Sequence, residues 1–234
     1  MTHYYDHKGF SKPGVTSIIS DCNDKSNALL PWATKAVCTW LRQNSIPSQL
    51  AEGKYIVTEE DLDLAQKNYR EISDEALDIG SQVHSAVENW LKWHKEPINP
   101  REEVLAGFVA FLEFYDEHDM DAIELEFPVY GDYWGGTLDY YGMFNGKIYV
   151  IDFKTSKAHY IHEHGPQIAA YRSAVKTPCD GCGVLRLDKT TGYPDFKDYS
   201  KRYEKDLREF QLMVPLYLHR HPRIAEAAGF ESIF

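Results

Sequence analysis

The stretch LDYYGMFNGKIYVIDFKTS, residues 138–156, constrains the fold more than any other part of the chain. Two runs of aromatic and β-branched residues flank Asn145-Gly146. That dipeptide is the strongest short-range signal for a two-residue type I′ turn, because both central positions need positive φ. With Asn145 and Gly146 as the loop, Phe144 pairs with Lys147, and counting back along both strands sets Asp139 opposite Asp152. Directly opposed Cβ atoms lie about 5 Å apart, where like charges destabilise a sheet. Asp152 and Lys154 share one strand face, while Ile151 and Phe153 point the other way. Turn chemistry therefore gathers two carboxylates and an ammonium on one patch. Such a patch calls for a cation, a shared proton or open solvent.

The chain before this hairpin reads as helical. Asn27–Gln43 has helical apolar spacing through Leu30, Ala33, Val37 and Leu41. Thr58-Glu59-Glu60-Asp61 resembles a capping box opening a helix to about Glu71, and Ser73-Asp74-Glu75 opens another through DIGSQVHSAVENWLKWH. EPINP, residues 96–100, separates that helix from an apolar one over 101–118. The period then changes. Residues 122–130 alternate as a strand with Glu124 and Glu126 on one face, and a turn over 131–136 leads into the hairpin. A helix over about 160–175, a strand over 183–188, a turn at Thr190-Thr191-Gly192, a short strand and a helix over 200–220 follow. This order predicts an α/β fold with a mixed central sheet flanked by helices. No linker is visible, so one domain is expected: a helical N-terminal elaboration over 1–72, a core over 73–190, and a C-terminal strand and helix over 191–234.

The formal charge of −11 argues against a simple electrostatic nucleic-acid binder, although clustered acids can be neutralised by a divalent metal. The basic residues after the hairpin are either solvated surface or a binding patch. No apolar run approaches the ~18 residues of a membrane span. MTHYYDHKGFSKPG lacks the pattern of a secretory signal, so a soluble, cytoplasmic protein is the default. The CxxC pair Cys179 and Cys182, with Cys22 and Cys38, could serve redox chemistry, hold zinc or an iron–sulfur cluster, or form a plain turn.

His84 and Glu88 share a face of one helix, with Gly80 one turn earlier. Gln167 and Tyr171 sit one turn apart on another, and Glu126 lies on its strand. Each alone reads as ordinary polar structure. Together, Gly80 and His84, Gly136 and Asp139, Asp152 and Lys154, and Gln167 and Tyr171, in that order, resemble the RecB-like branch of the PD-(D/E)XK nuclease superfamily. The resemblance covers roughly residues 74–190 and includes phage-encoded and mitochondrial genome maintenance exonucleases. It implies a restriction-endonuclease-like core and a metal-dependent DNA exonuclease acting in recombination, repair or phage DNA processing. It also implies a substrate with a free end or single-stranded region.

By the same resemblance, His84, Asp139, Asp152 and the main-chain carbonyl of Phe153 would hold Mg²⁺ or Mn²⁺, with Glu88 or Glu126 as outer ligands. Lys154 would orient water or stabilise developing negative charge, and Gln167 and Tyr171 would position DNA or support Lys154. Lys157 and Arg172 are candidate DNA contacts. Tyr133 and Trp134 either stack on unpaired bases or pack the hairpin. Relatives with an iron–sulfur cluster carry one early and three late cysteines. Here two are early and two late, which argues against a cluster. The alternatives are an iron–sulfur CRISPR-adaptation-like nuclease and a non-catalytic DNA-binding module on the same fold.

Overall fold

A computed structural model describes residues 4–49 and 52–230. The chain forms two compact units: Met1–Asn23 with Gln82–Phe234, and Asp24–Ser81. In chain order, strands β1 (Tyr4–His7) and β2 (Phe10–Pro13) form an antiparallel hairpin, followed by helix α1 (Val15–Cys22). Helix α2 (Ser26–Asn44) and the two-residue strands β3 (Ile46–Pro47) and β4 (Tyr55–Ile56) belong to the smaller unit. Helix α3 (Glu59–Trp93) runs from that unit into the larger one.

The capping box at the start of α3 forms as the residues suggest: Asp61 N donates to Thr58 Oγ1 (3.1 Å) and Thr58 N to Asp61 Oδ2 (2.9 Å). The second start expected at Ser73 does not occur, because α3 runs unbroken through it, 35 residues in all. No proline or glycine interrupts residues 59–79, so the short polar side chains there have no broken backbone ladder to cap. The N-terminal region is also less uniformly helical than its sequence suggested. Its first described residues form the β1–β2 hairpin, and α1 buries Val15, Ile18 and Ile19 in the core of the larger unit.

The larger unit continues with α4 (Glu102–Glu117), β5 (Met120–Tyr130), β6 (Gly135–Phe144) and β7 (Lys147–Lys154). Then come α5 (Ile161–Ala174), β8 (Gly181–Leu187), β9 (Pro194–Asp198), a 3-10 turn over Ser200–Arg202, α6 (Tyr203–Arg220) and α7 (Pro222–Ala227). The five strands lie side by side in the order β5-β6-β7-β8-β9. All neighbours are antiparallel except β7 and β8, whose parallel pairing requires the crossover that α5 supplies.

The fold is therefore mixed α/β, with a five-stranded mixed sheet flanked by helices. Val150 and Val184 on one face join a core with α1, α5 and α6. On the other face, Phe111 of α4 meets Phe153 at 5.9 Å between ring centroids, and Phe114 meets Phe144 at 5.6 Å. Val150 and Phe153 differ in strand parity, so each serves its own face. Among the described residues, no helix is long and apolar enough to cross a membrane.

Candidate metal centre

Asn145 (φ 50°) and Gly146 (φ 77°) both adopt the left-handed conformation that a two-residue hairpin loop demands. The β6–β7 ladder has the expected register, from Phe144 opposite Lys147 to Tyr140 opposite Ile151. It ends one step before the two acids. There Asp139 Oδ2 accepts a hydrogen bond from Phe153 N (2.6 Å), so the carboxylate takes the place of the next ladder bond. Asp139 and Asp152 are both buried, at 8% and 2% exposure.

Three side chains converge on Asp139's side of this patch. His84 Nδ1 lies 3.5 Å from Asp139 Oδ1, and its ring sits edge-on to Phe153. Glu126 comes from β5, where Leu125 pairs with Tyr140 and Phe127 with Leu138. Between those pairs Glu126 leaves the ladder with φ +49°. A non-glycine residue held there costs on the order of 1–3 kcal/mol, and such strain clusters at functional sites. One ligand atom each from His84, Glu126 and Asp139 lies within 4.8 Å of the others. Strand alternation pairs Glu126 with Glu124 on a polar face and gives no sign of this departure.

Asp152 is engaged separately. Lys154 Nζ lies 2.5 Å from its Oδ2, and Gln167 Nε2 donates to its Oδ1 at 3.1 Å. The same Gln167 Nε2 approaches Tyr171 Oη at 3.2 Å. The face-sharing of Asp152 and Lys154 and the one-turn spacing of Gln167 and Tyr171 thus meet in one network. Gly136 makes room for it, since a Cβ there would stand 2.5 Å from the Tyr171 ring.

The electrostatics show an excess of acid. Burial opposes charge on Asp139, yet His84 and Lys154 hold its carboxyl below the usual range. Burial likewise opposes charge on His84, but Asp139 raises its pKa above the ordinary value. Burial, only partly offset by Lys154, pushes Asp152 up to about 6. Burial and the charge of Asp139 push Glu126 up to about 7. Burial disfavours the Lys154 ammonium, while Asp152 and Asp139 more than compensate and raise its pKa. Three carboxylates thus face one ammonium and one imidazole, and the balance can be restored by protons or by a cation. The converging donors are carboxylate oxygens and an imidazole nitrogen with no thiolate, a set that fits a hard divalent ion such as Mg²⁺ or Mn²⁺.

The other candidate residues are not among the converging ligands. Glu88 pairs with Lys92 on its own helix and stays outside the converging group, as does Asp152. Trp134 is not an exposed stacking platform. It is buried at 8% exposure, edge-on to Phe210 of α6 at 5.3 Å, because covering the ring is a larger gain than leaving it in solvent. Tyr133 is half-buried against Phe230. Arg172 is tied down as well: it donates to the Cys179 (2.8 Å) and Asp180 (3.3 Å) carbonyls and lies over the Tyr203 ring. Lys157 is exposed.

All four cysteines are free, and none joins a metal-ligating group among the described residues. Cys179 Sγ donates to Gly181 O at 3.0 Å, and burial pushes the Cys182 thiol up to about 12. Cys179 thus lies in the turn before β8, and Cys182 is buried within that strand. A scan against protein-family models finds no match to the chain, and a search of curated proteins finds none either.

Proposed function

We propose that the chain is a metal-dependent DNA exonuclease of the RecB-like PD-(D/E)XK type, hydrolysing phosphodiester bonds in recombination, repair or phage DNA processing. The observation that carries this reading is the convergence of His84, Glu126 and Asp139 within 4.8 Å. Beside them stand the Asp152–Lys154 pair and its Gln167–Tyr171 support. Asp139, Glu126 and His84 would hold Mg²⁺ or Mn²⁺. A divalent ion there supplies Lewis acidity toward a phosphoryl oxygen and toward water.

The chain's own residues do the rest. Lys154, kept protonated by two carboxylates, donates to a phosphoryl oxygen or holds the attacking water. Asp152 fixes that ammonium in place, and Gln167 fixes Asp152. Tyr171, whose hydroxyl burial keeps protonated, anchors Gln167.

Digestion of 5′- and 3′-labelled single- and double-stranded DNA with Mg²⁺, Mn²⁺ or EDTA tests the reading. Cleavage is expected with the metals, absent in EDTA, and lost in folded Asp152→Asn and Lys154→Met variants. Full cleavage by either purified variant, or cleavage in EDTA, would sink it.

A further inference from the structure

A cavity of about 1010 Å³ lies apart from the metal centre, lined by the β1–β2 hairpin, the second half of β5 and the loop that follows. None of the seven residues of the metal centre and its Asp152 network lines it. On a chain of net charge −11 its wall carries a local excess of positive charge: Lys8, Lys12 and Lys176 stand against Glu124 and Asp132. Lys12 is 6% exposed, and its Nζ donates to Gly131 O at 2.8 Å. Among the described residues no carboxylate forms an ion pair with it, and Asp132 acts on it only through space. A buried ammonium with three donors and one neutral protein acceptor keeps donor capacity that an anion can use.

Lys8 is exposed at the hairpin tip, held there by left-handed Lys8 (φ 50°) and Gly9 (φ 80°). Phe10 and Phe127 leave 45% and 40% of their surface uncovered on the same wall. Ammonium groups beside uncovered aromatic faces suit a ligand that is both anionic and flat. An unpaired nucleotide answers both demands, with its phosphate on the lysines and its base on a ring.

We propose that this cavity seats unpaired nucleotides of the substrate strand that flank the scissile phosphate. Strand β5 links the two sites: Phe127 of the cavity directly follows Glu126 of the metal centre, ~3.8 Å away between Cα atoms. The seat deepens the proposed function and rests on it for the strand's identity as substrate.

The test is fluorescence anisotropy of a dye-labelled oligothymidylate in EDTA, where no cleavage occurs. The Lys8→Ala/Lys176→Ala double variant is expected to bind several-fold more weakly. Its log–log salt dependence should be shallower by roughly 1.4, at ~0.7 for each lost phosphate contact on a single strand. Phe127→Leu, which preserves apolar bulk but removes a stacking face, should weaken binding about fivefold or more. Unchanged affinity and salt slope in these variants overturn the proposal. Competition by thymidine monophosphate as effective as by the oligonucleotide overturns it too, in favour of a free-nucleotide pocket. If the wild type cleaves DNA with Mn²⁺ but shows no metal-free binding, this seat falls and the nuclease reading stands. If the variants lose binding while the wild type never cleaves, the cavity stands as a seat for unpaired nucleotides, but the nuclease reading falls and with it the strand's identity as substrate.

Discussion

Asp206 of α6 and Asp139 of β6 are both buried acids, at 0% and 8% exposure, yet their surroundings differ in kind. Arg202 clamps Asp206 with two hydrogen bonds, Nε to Oδ2 at 3.2 Å and a terminal guanidinium nitrogen to Oδ1 at 2.9 Å. One acid meets one base, and the pair is complete. Asp139 instead shares its neighbourhood with Glu126 and Asp152, against Lys154 and a histidine 3.5 Å away. Burying charge without matching it is costly, so a cluster with acid in excess must take up protons or positive charge from elsewhere. A neutralised acid braces the fold, whereas an excess of acids can take up protons or a cation.

The largest effects should separate these two regions cleanly. Asp139→Asn should lower metal-dependent cleavage on the order of 10²–10³-fold or more while leaving the urea midpoint near that of the wild type. Asp206→Asn should do the reverse, keeping turnover but costing roughly 1.5–3 kcal/mol in urea unfolding, because the charge-assisted hydrogen bonds from the partly exposed Arg202 are lost. A folded, stable Asp206→Asn variant that no longer cleaves would collapse the contrast.

A second, smaller effect follows from the raised acids. In metal-free protein, Glu126 moves from 4.5 to about 7 and Asp152 from 3.8 to about 6. The folded state therefore holds protons that the unfolded chain has already released. Their contribution to stability is complete below about pH 4 and is lost as pH rises to about 7. His84, also raised, acts in the same direction as it deprotonates. Stability of the EDTA-treated protein should thus fall across this window, and Glu126→Gln should flatten the fall. Mn²⁺ at a hundredfold its dissociation constant should restore ~2.7 kcal/mol near neutral pH. A flat wild-type profile in thermal melts, or restoration that survives Glu126→Gln in full, would remove Glu126 from the site.

The smallest effect is steric. Gly136→Ala places a methyl 2.5 Å from the Tyr171 ring, so the ring or β6 must shift. A loss of roughly 1–3 kcal/mol is expected. Partial loss of cleavage should accompany it, because Tyr171 supports Gln167 and through it Asp152. Wild-type stability and activity together would show that the network tolerates the displacement.

Much of the Asp139–Asp152 patch is legible without coordinates. Asn145-Gly146 prescribes its own turn, the turn prescribes the register, and the period of two places Lys154 beside Asp152. Gln167 and Tyr171 follow from one helical turn. What stays hidden depends on distant partners. Glu126 obeys strand alternation in the sequence and departs from it at φ +49° only where β5 lies beside Asp139. Trp134 and Arg172 carry the composition of a nucleic-acid contact, but Phe210 and the Cys179 carbonyl had claimed them. Lys12, in an unremarkable N-terminal segment, becomes a buried cavity wall once Gly131 meets it from 119 residues away.

By itself, then, the sequence determined those features governed by torsion preference and side-chain period: the hairpin register, the Thr58 capping box, the α/β order, and the pairing of Asp152 with Lys154. These depend on a few adjacent residues, whose allowed φ and ψ are set by local sterics. Only the tertiary structure decided which acids gather around His84, which aromatics are covered, and where basic residues of the N-terminal hairpin form a cavity. Those outcomes depend on which surfaces meet, and burial turns the same residue into brace, ligand or core according to what covers it.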